Sequence, residues 1–128
     1  MQNKLYNIYL ENKWLGTSAL EKADAPMGVV FGLIHFINED FGFDFWKDYC
    51  EKSNLIASII PEDRLIITKN IKALKVYSPK GIEIQGTGGV YIEGMDSEGF
   101  EIAISGIDHQ IYQLEFPHHV EVYEKLFQ

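Results

Sequence analysis

The sequence predicts an α+β fold: a curved antiparallel β-sheet laid down as a meander, with a short mid-chain helix and a second helix at the C-terminus. Three observations predict it. Apolar and polar residues alternate in Ile82-Glu83-Ile84-Gln85 and in Phe100-Glu101-Ile102-Ala103-Ile104, as strands with one core face and one wet face require. Turn-forming residues punctuate the second half at Pro61-Glu62-Asp63, Ser78-Pro79-Lys80-Gly81 and Met95 to Gly99. Finally, Phe43, Trp46 and Cys50 recur on one helical stripe, while Asp44, Asp48 and Glu51 occupy the other face.

In chain order, the β-formers Leu5 to Leu10 and Trp14 to Thr17 flank a turn at Glu11-Asn12-Lys13 and predict a first hairpin. Pro26 biases Ala25 towards extended geometry, and the β-branched and aromatic run Gly28 to Ile37 predicts a long central strand. Gly28 and Gly32 mark bends or close packing in it. The helix covers Phe43 to Lys52, with Asp44 where the helix dipole favours an acid and Ser53-Asn54 as its exit. Strands follow at Leu55–Ile60, Arg64–Thr68, Leu74–Tyr77, Ile82–Gln85, Val90–Glu93 and Phe100–Ser105, and His109 to Phe116 reads as a last strand. Pro117 suits the first turn of a closing helix that ends at Phe127. Without an internal repeat or a linker, residues 1–128 form a single expected domain.

Composition narrows the function classes. A chain of 128 residues, 46% hydrophobic and 23% charged, has the balance of a globular protein and hides roughly two-thirds of its unfolded surface. Its formal charge of −8 comes from 19 acids against 11 bases. The bases are scattered, so nucleic acid is not an expected partner and a basic protein is. A lone cysteine excludes an internal disulfide. The N-terminal stretch does not read as a signal peptide, and the apolar run Met27 to Ile37 is too short to span a bilayer, so a cytoplasmic location with no membrane partner is expected.

Residues that could carry chemistry have plainer explanations. Gly86-Thr87-Gly88-Gly89-Val90 lacks both the third glycine of a dinucleotide loop and the Lys-Ser or Lys-Thr pair of a P-loop, so a bulge or bend is expected there. His118 and His119 are adjacent, and on a helix such neighbours diverge by about 100° rather than converging on one ion. Cys50, on the apolar stripe of the helix, is expected to be a buried and inert thiol. Ser18, Ser53 and Ser105 lack the G-x-S-x-G context of a nucleophile elbow. No catalytic residue, metal or cofactor is expected.

Two constellations remain. In Glu39 to Glu51 four aromatics fall within the six residues Phe41 to Trp46 and are surrounded by acids, a composition suited to capturing a basic protein. The expected partner-binding residues are Glu39, Asp40, Asp44, Trp46, Asp48 and Glu51. Glu21 and Asp24 precede the central strand, and with His35 they are the candidates for the rim of a pocket between sheet and helix.

The segment Leu20 to Gly32, LEKADAPMGVVFG, resembles a pattern of small bacterial single-domain proteins in which an acid, a Pro-Met-Gly turn and a Val-rich strand recur. In size, acidity and α+β layout the chain is also similar to bacterial immunity proteins, which neutralise toxins. This likeness implies a non-enzymatic binding protein that blocks a basic toxin domain by direct contact. The alternative is a small enzyme or ligand-binding domain with its pocket at Glu21, Asp24 and His35. A homodimer paired through an exposed strand edge is a third expectation.

Overall fold

The computed structural model describes residues 4–127. Two antiparallel sheets share its strands. The chain runs β1 (Tyr6–Leu10), β2 (Lys13–Ser18), β3 (Lys22–Asp24), β4 (Val29–Leu33), β5 (His35–Phe36), α1 (Phe43–Lys52), β6 (Ala57–Ile60), β7 (Leu65–Thr68), β8 (Leu74–Tyr77), β9 (Gly89–Met95), β10 (Gly99–Ser105), α2 (His109–Glu115) and α3 (Pro117–Lys125). A four-stranded sheet has the order β5-β2-β1-β8, and a six-stranded sheet has the order β3-β4-β10-β9-β7-β6. The inner faces of both feed one cluster of buried side chains, to which α1 adds Phe43, Trp46 and Cys50.

The α+β class and both helices match the sequence-based expectation, but the single curved meander does not: the strands divide between two sheets. The expected long strand Gly28 to Ile37 is where the chain changes sheet. Val30 to Leu33 pair with β10, the amide of buried Ile34 donates to the Phe100 carbonyl at 2.8 Å, and His35-Phe36 pair with β2. An apolar run satisfies two different partners in succession, which periodicity alone does not reveal. Ahead of this run, Ala25–Met27 form a 3-10 turn closed by Gly28 at φ 66, and Ile82 to Gln85 contribute an isolated bridge, Glu83 to Tyr77, rather than a strand.

The segment after Asp108 is also corrected, from strand to helix. Asp108 is an N-cap: its carboxylate accepts from the amides of Gln110 at 3.0 Å and Ile111 at 3.2 Å. The core-facing pair is Tyr112 and Phe116, one helical turn apart with ring centroids 5.5 Å apart, while Ile111 and Leu114 face outward. Asp108→Ala is expected to lower the unfolding free energy by about 1 kcal/mol, read from urea denaturation. An unchanged midpoint would show that α2 is held by packing alone.

Candidate functional site

The loop between β5 and α1 is pinned from three sides. Asn38 Oδ1 accepts from the Asp40 amide at 2.8 Å, an Asx turn that sends the Glu39 and Asp40 side chains outward. Phe41, 2% exposed, turns in, and its carbonyl accepts from Trp46 Nε1 at 3.0 Å. Gly42 stands at the N-cap of α1 with no side chain to offer, and Asp96 of the β9–β10 turn takes over that role: its Oδ1 accepts from the Phe43 amide at 2.8 Å. A Cβ on residue 42 would lie 2.7 Å from that oxygen, so glycine is what lets the distant carboxylate reach the helix.

Arg64 completes the arrangement. It follows the Pro61–Asp63 turn in the left-handed conformation, φ 51, and its guanidinium spans two carboxylates. Nε donates to Asp96 Oδ2 at 2.6 Å, and Nη2 and Nη1 donate to the two oxygens of Asp44 at 2.8 and 3.3 Å. Its Cζ lies 5.1 Å from the centroid of the Phe43 ring, within cation–π range.

These elements border an open groove of about 410 Å³ with Ile34, Phe36, Phe45 and Phe100 as its apolar wall. Four carboxylates, Glu39, Asp40, Asp44 and Asp96, face one guanidinium, a formal balance of −3. Asp44 and Asp96 are engaged by Arg64, while Glu39 and Asp40 are exposed and in no ion pair among the described residues. No histidine, cysteine, serine or lysine lines the groove.

Charge-assisted hydrogen bonds from Arg64 hold the Asp44 carboxyl below its ordinary value, and the same bonds raise the guanidinium. Asp44 therefore stays ionised, as an anionic receptor needs and a general acid does not. A folded-state value below the unfolded one contributes stability that is present above the ordinary carboxylate value and lost as pH falls through the depressed one. Arg64→Ala is expected to return the Asp44 titration to the ordinary carboxylate range, as followed by carboxyl NMR. An unmoved titration would assign the shift to another group.

The expected partner-binding residues thus separate. Glu39, Asp40 and Asp44 line the groove. Asp48 and Glu51 lie on the exposed face of α1, in i, i+4 pairs with Lys52 at 3.0 Å and Lys47 at 3.2 Å. Trp46 is withdrawn from any surface role because it is fully buried, edge-on to Phe45 and Tyr49. Arg64 and Asp96 were not singled out from sequence: 32 residues separate them, and each sits in an ordinary turn.

The second constellation is divided as well. Glu21 and Asp24 line a cleft of about 640 Å³ between the β3–β4 edge and α3, together with His118, His119, Phe31 and Tyr123. His35 does not line it, since it pairs with Thr17 in the other sheet. Glu21 accepts from the Leu33 amide at 2.9 Å, and His119, 8% exposed, lies with Nε2 2.8 Å from the Leu20 carbonyl, so both brace the backbone. The His118 and His119 rings do not diverge as expected: their centroids are 4.0 Å apart. Burial, then proximity to His119 and Lys4, lowers the His118 pKa.

The remaining sequence features fill structural places. Cys50 is buried, which pushes its thiol pKa up and makes it a poor nucleophile. The Gly86–Gly89 loop packs on the end of β10, where the Thr87 and Gly88 amides donate to the Gly106 and Ser105 carbonyls at 3.0 Å, and it leads into β9 rather than a helix. No helix among the described residues is long and apolar enough to cross a membrane. Compared with protein-family models, curated proteins and solved structures, the chain matches none, so its function is argued from the chemistry of the groove itself.

Proposed function

We propose that the protein is a non-enzymatic acidic binding protein whose β5–α1 groove takes a lysine or arginine side chain of a basic protein partner. The observation that carries this reading is the pairing of two unengaged carboxylates, Glu39 and Asp40, with an apolar wall formed by Phe36 and Phe45. A long basic side chain has a matching form, an apolar stem and a cationic head. Arg64, bidentate on Asp44 and over Phe43, supports it by example, because the same ligand types already hold a guanidinium a few residues away. A net charge of −8 adds long-range steering towards a basic surface.

The most concrete form of this proposal is an immunity protein that neutralises a basic toxin domain by direct contact. The test is to purify the products of the genes that neighbour this one and to titrate any that carries a basic toxin domain by calorimetry. Binding at micromolar concentration or tighter, weakening with salt, is the expected result, and no heat of binding would remove the proposal. A second reading, a small-molecule site in the α3 cleft, is favoured by the convergence of Glu21, Asp24, His118 and His119 there. It predicts that metabolite-sized ligands perturb the His118 resonances and leave residues 38–45 unchanged.

A further inference from the structure

The edges of the two sheets are not equally protected. Edge strand β3 is Lys22-Ala23-Asp24, short and charged, and β5 has two residues. On β8, the Ile84 amide donates to the Val76 carbonyl at 2.8 Å, Glu83 bridges Tyr77, and Lys75 pairs with Glu83 at 3.5 Å, so that edge is covered. The fourth edge is β6. From Leu55 to Ile60 it carries no charge and no internal proline, and it leaves Ile56 72% and Ile60 43% exposed beside Ile67 of β7, 40% exposed. Short charged edges are how sheets avoid pairing with other chains, and an apolar uncharged one departs from that rule.

We infer that β6 is the contact through which a second copy of this chain binds, by antiparallel β6–β6 pairing about a two-fold axis at Ser58. The backbone fixes which residues are free to pair. The Ile56 carbonyl accepts from the Lys69 amide, and Ser58 and Ile60 oppose Ile67 and Leu65, so alternation turns the amides and carbonyls of Ala57 and Ile59 outward. Ala57 of one copy and Ile59 of the other then exchange both hydrogen bonds, twice by symmetry. Ser58 meets its own copy, and Ile56 meets Ile60 across the axis on the outer face.

Charge selects the same path. Two copies of an acidic chain repel over most of their surface, and this edge lets them meet without opposing carboxylates at the contact. The contact is self-complementary, as an isologous two-fold interface must be, and it merges two six-stranded sheets into one. Residues 55–60 do not line the β5–α1 groove, and the contact does not depend on how that groove is used.

Sedimentation velocity of the intact protein at about 100 µM, where an interface at the small end of the specific range is populated, is expected to show a dimer. Ser58→Lys places two ammonium groups opposite each other at an exposed position and is expected to weaken dimerisation at least about tenfold with an unchanged circular dichroism spectrum. Ser58→Cys gives a geometric readout, since directly opposed residues in a non-hydrogen-bonded pair lie within disulfide reach and the native Cys50 is buried. Oxidation is expected to yield a covalent dimer on non-reducing electrophoresis, whereas Glu98→Cys, in the exposed β9–β10 turn and away from the contact, is expected to give no cross-linked species. A wild-type monomer at that concentration, or a dimer indifferent to Ser58→Lys, would overturn the inference.

Discussion

Trp46→Ala is expected to remove about 3–5 kcal/mol of unfolding free energy, the range for deleting a fully buried large aromatic side chain. Trp46 is at 0% exposure and contacts Phe45 and Tyr49 edge-on, with centroids 5.0 and 6.3 Å away. Two costs combine: the cavity left by the indole and the loss of the Nε1 bond to the Phe41 carbonyl, a buried acceptor that would lose its donor. Trp46→Phe weights them differently, because it keeps much of the bulk, leaves a smaller cavity and removes the donor. Its expected cost is smaller, about 1–3 kcal/mol. Phe41 holds the loop that presents Glu39 and Asp40, so both variants should also speed amide exchange across residues 38–42. Urea midpoints within error of wild type would show that the α1 side of the core is dispensable.

If the groove takes a basic partner as proposed, the double reversal Glu39→Lys with Asp40→Lys is expected to weaken that binding by about 100-fold or more, because it replaces two attractive contacts with two repulsive ones. The substitutions fall on exposed side chains outside the core, so stability should stay within about 0.5 kcal/mol of wild type. Salt provides an internal control. Screening should weaken the wild-type complex steadily as ionic strength rises and should narrow the gap between wild type and variant. An unchanged affinity, with fold intact, would show that these carboxylates do not meet the partner.

What was legible in the sequence was local. Helix α1 falls on Phe43 to Lys52 because its apolar stripe, its first-turn Asp44 and its exit at Ser53-Asn54 are all carried by neighbouring residues. The β1–β2 hairpin was legible for the same reason. The change of sheet at Ile34 was not, since a continuous apolar run fits one long buried strand as well as two short ones. Segment 109–116 misled because its outward Ile111 and Leu114 imitate the apolar content of a strand, although Asp108 already carried a capping signal.

The site followed the same division. Glu39, Asp40 and Asp44 stood out by clustering with aromatics, but composition could not tell a ring that faces solvent from one that fills the core. Phe41, Phe43 and Trp46 all turn inward, while Phe36 and Phe45 are only partly buried and face the groove. Arg64 and Asp96 reach the site only through long-range pairing: β7 and β9 are neighbours, with Leu65 opposite Met95, and this sets the two adjacent turns side by side. No spacing along the chain encodes that neighbourhood.

Binding of basic side chains in the β5–α1 groove is tested most directly by the backbone amide footprint of the isotopically labelled protein titrated with a lysine- and arginine-rich peptide. The predicted footprint is centred on residues 38–45, with Arg64 and Asp96 moving as their carboxylate contacts adjust and the β6 edge unaffected. A footprint centred on the α3 cleft or on β6, with residues 38–45 unmoved, would contradict it.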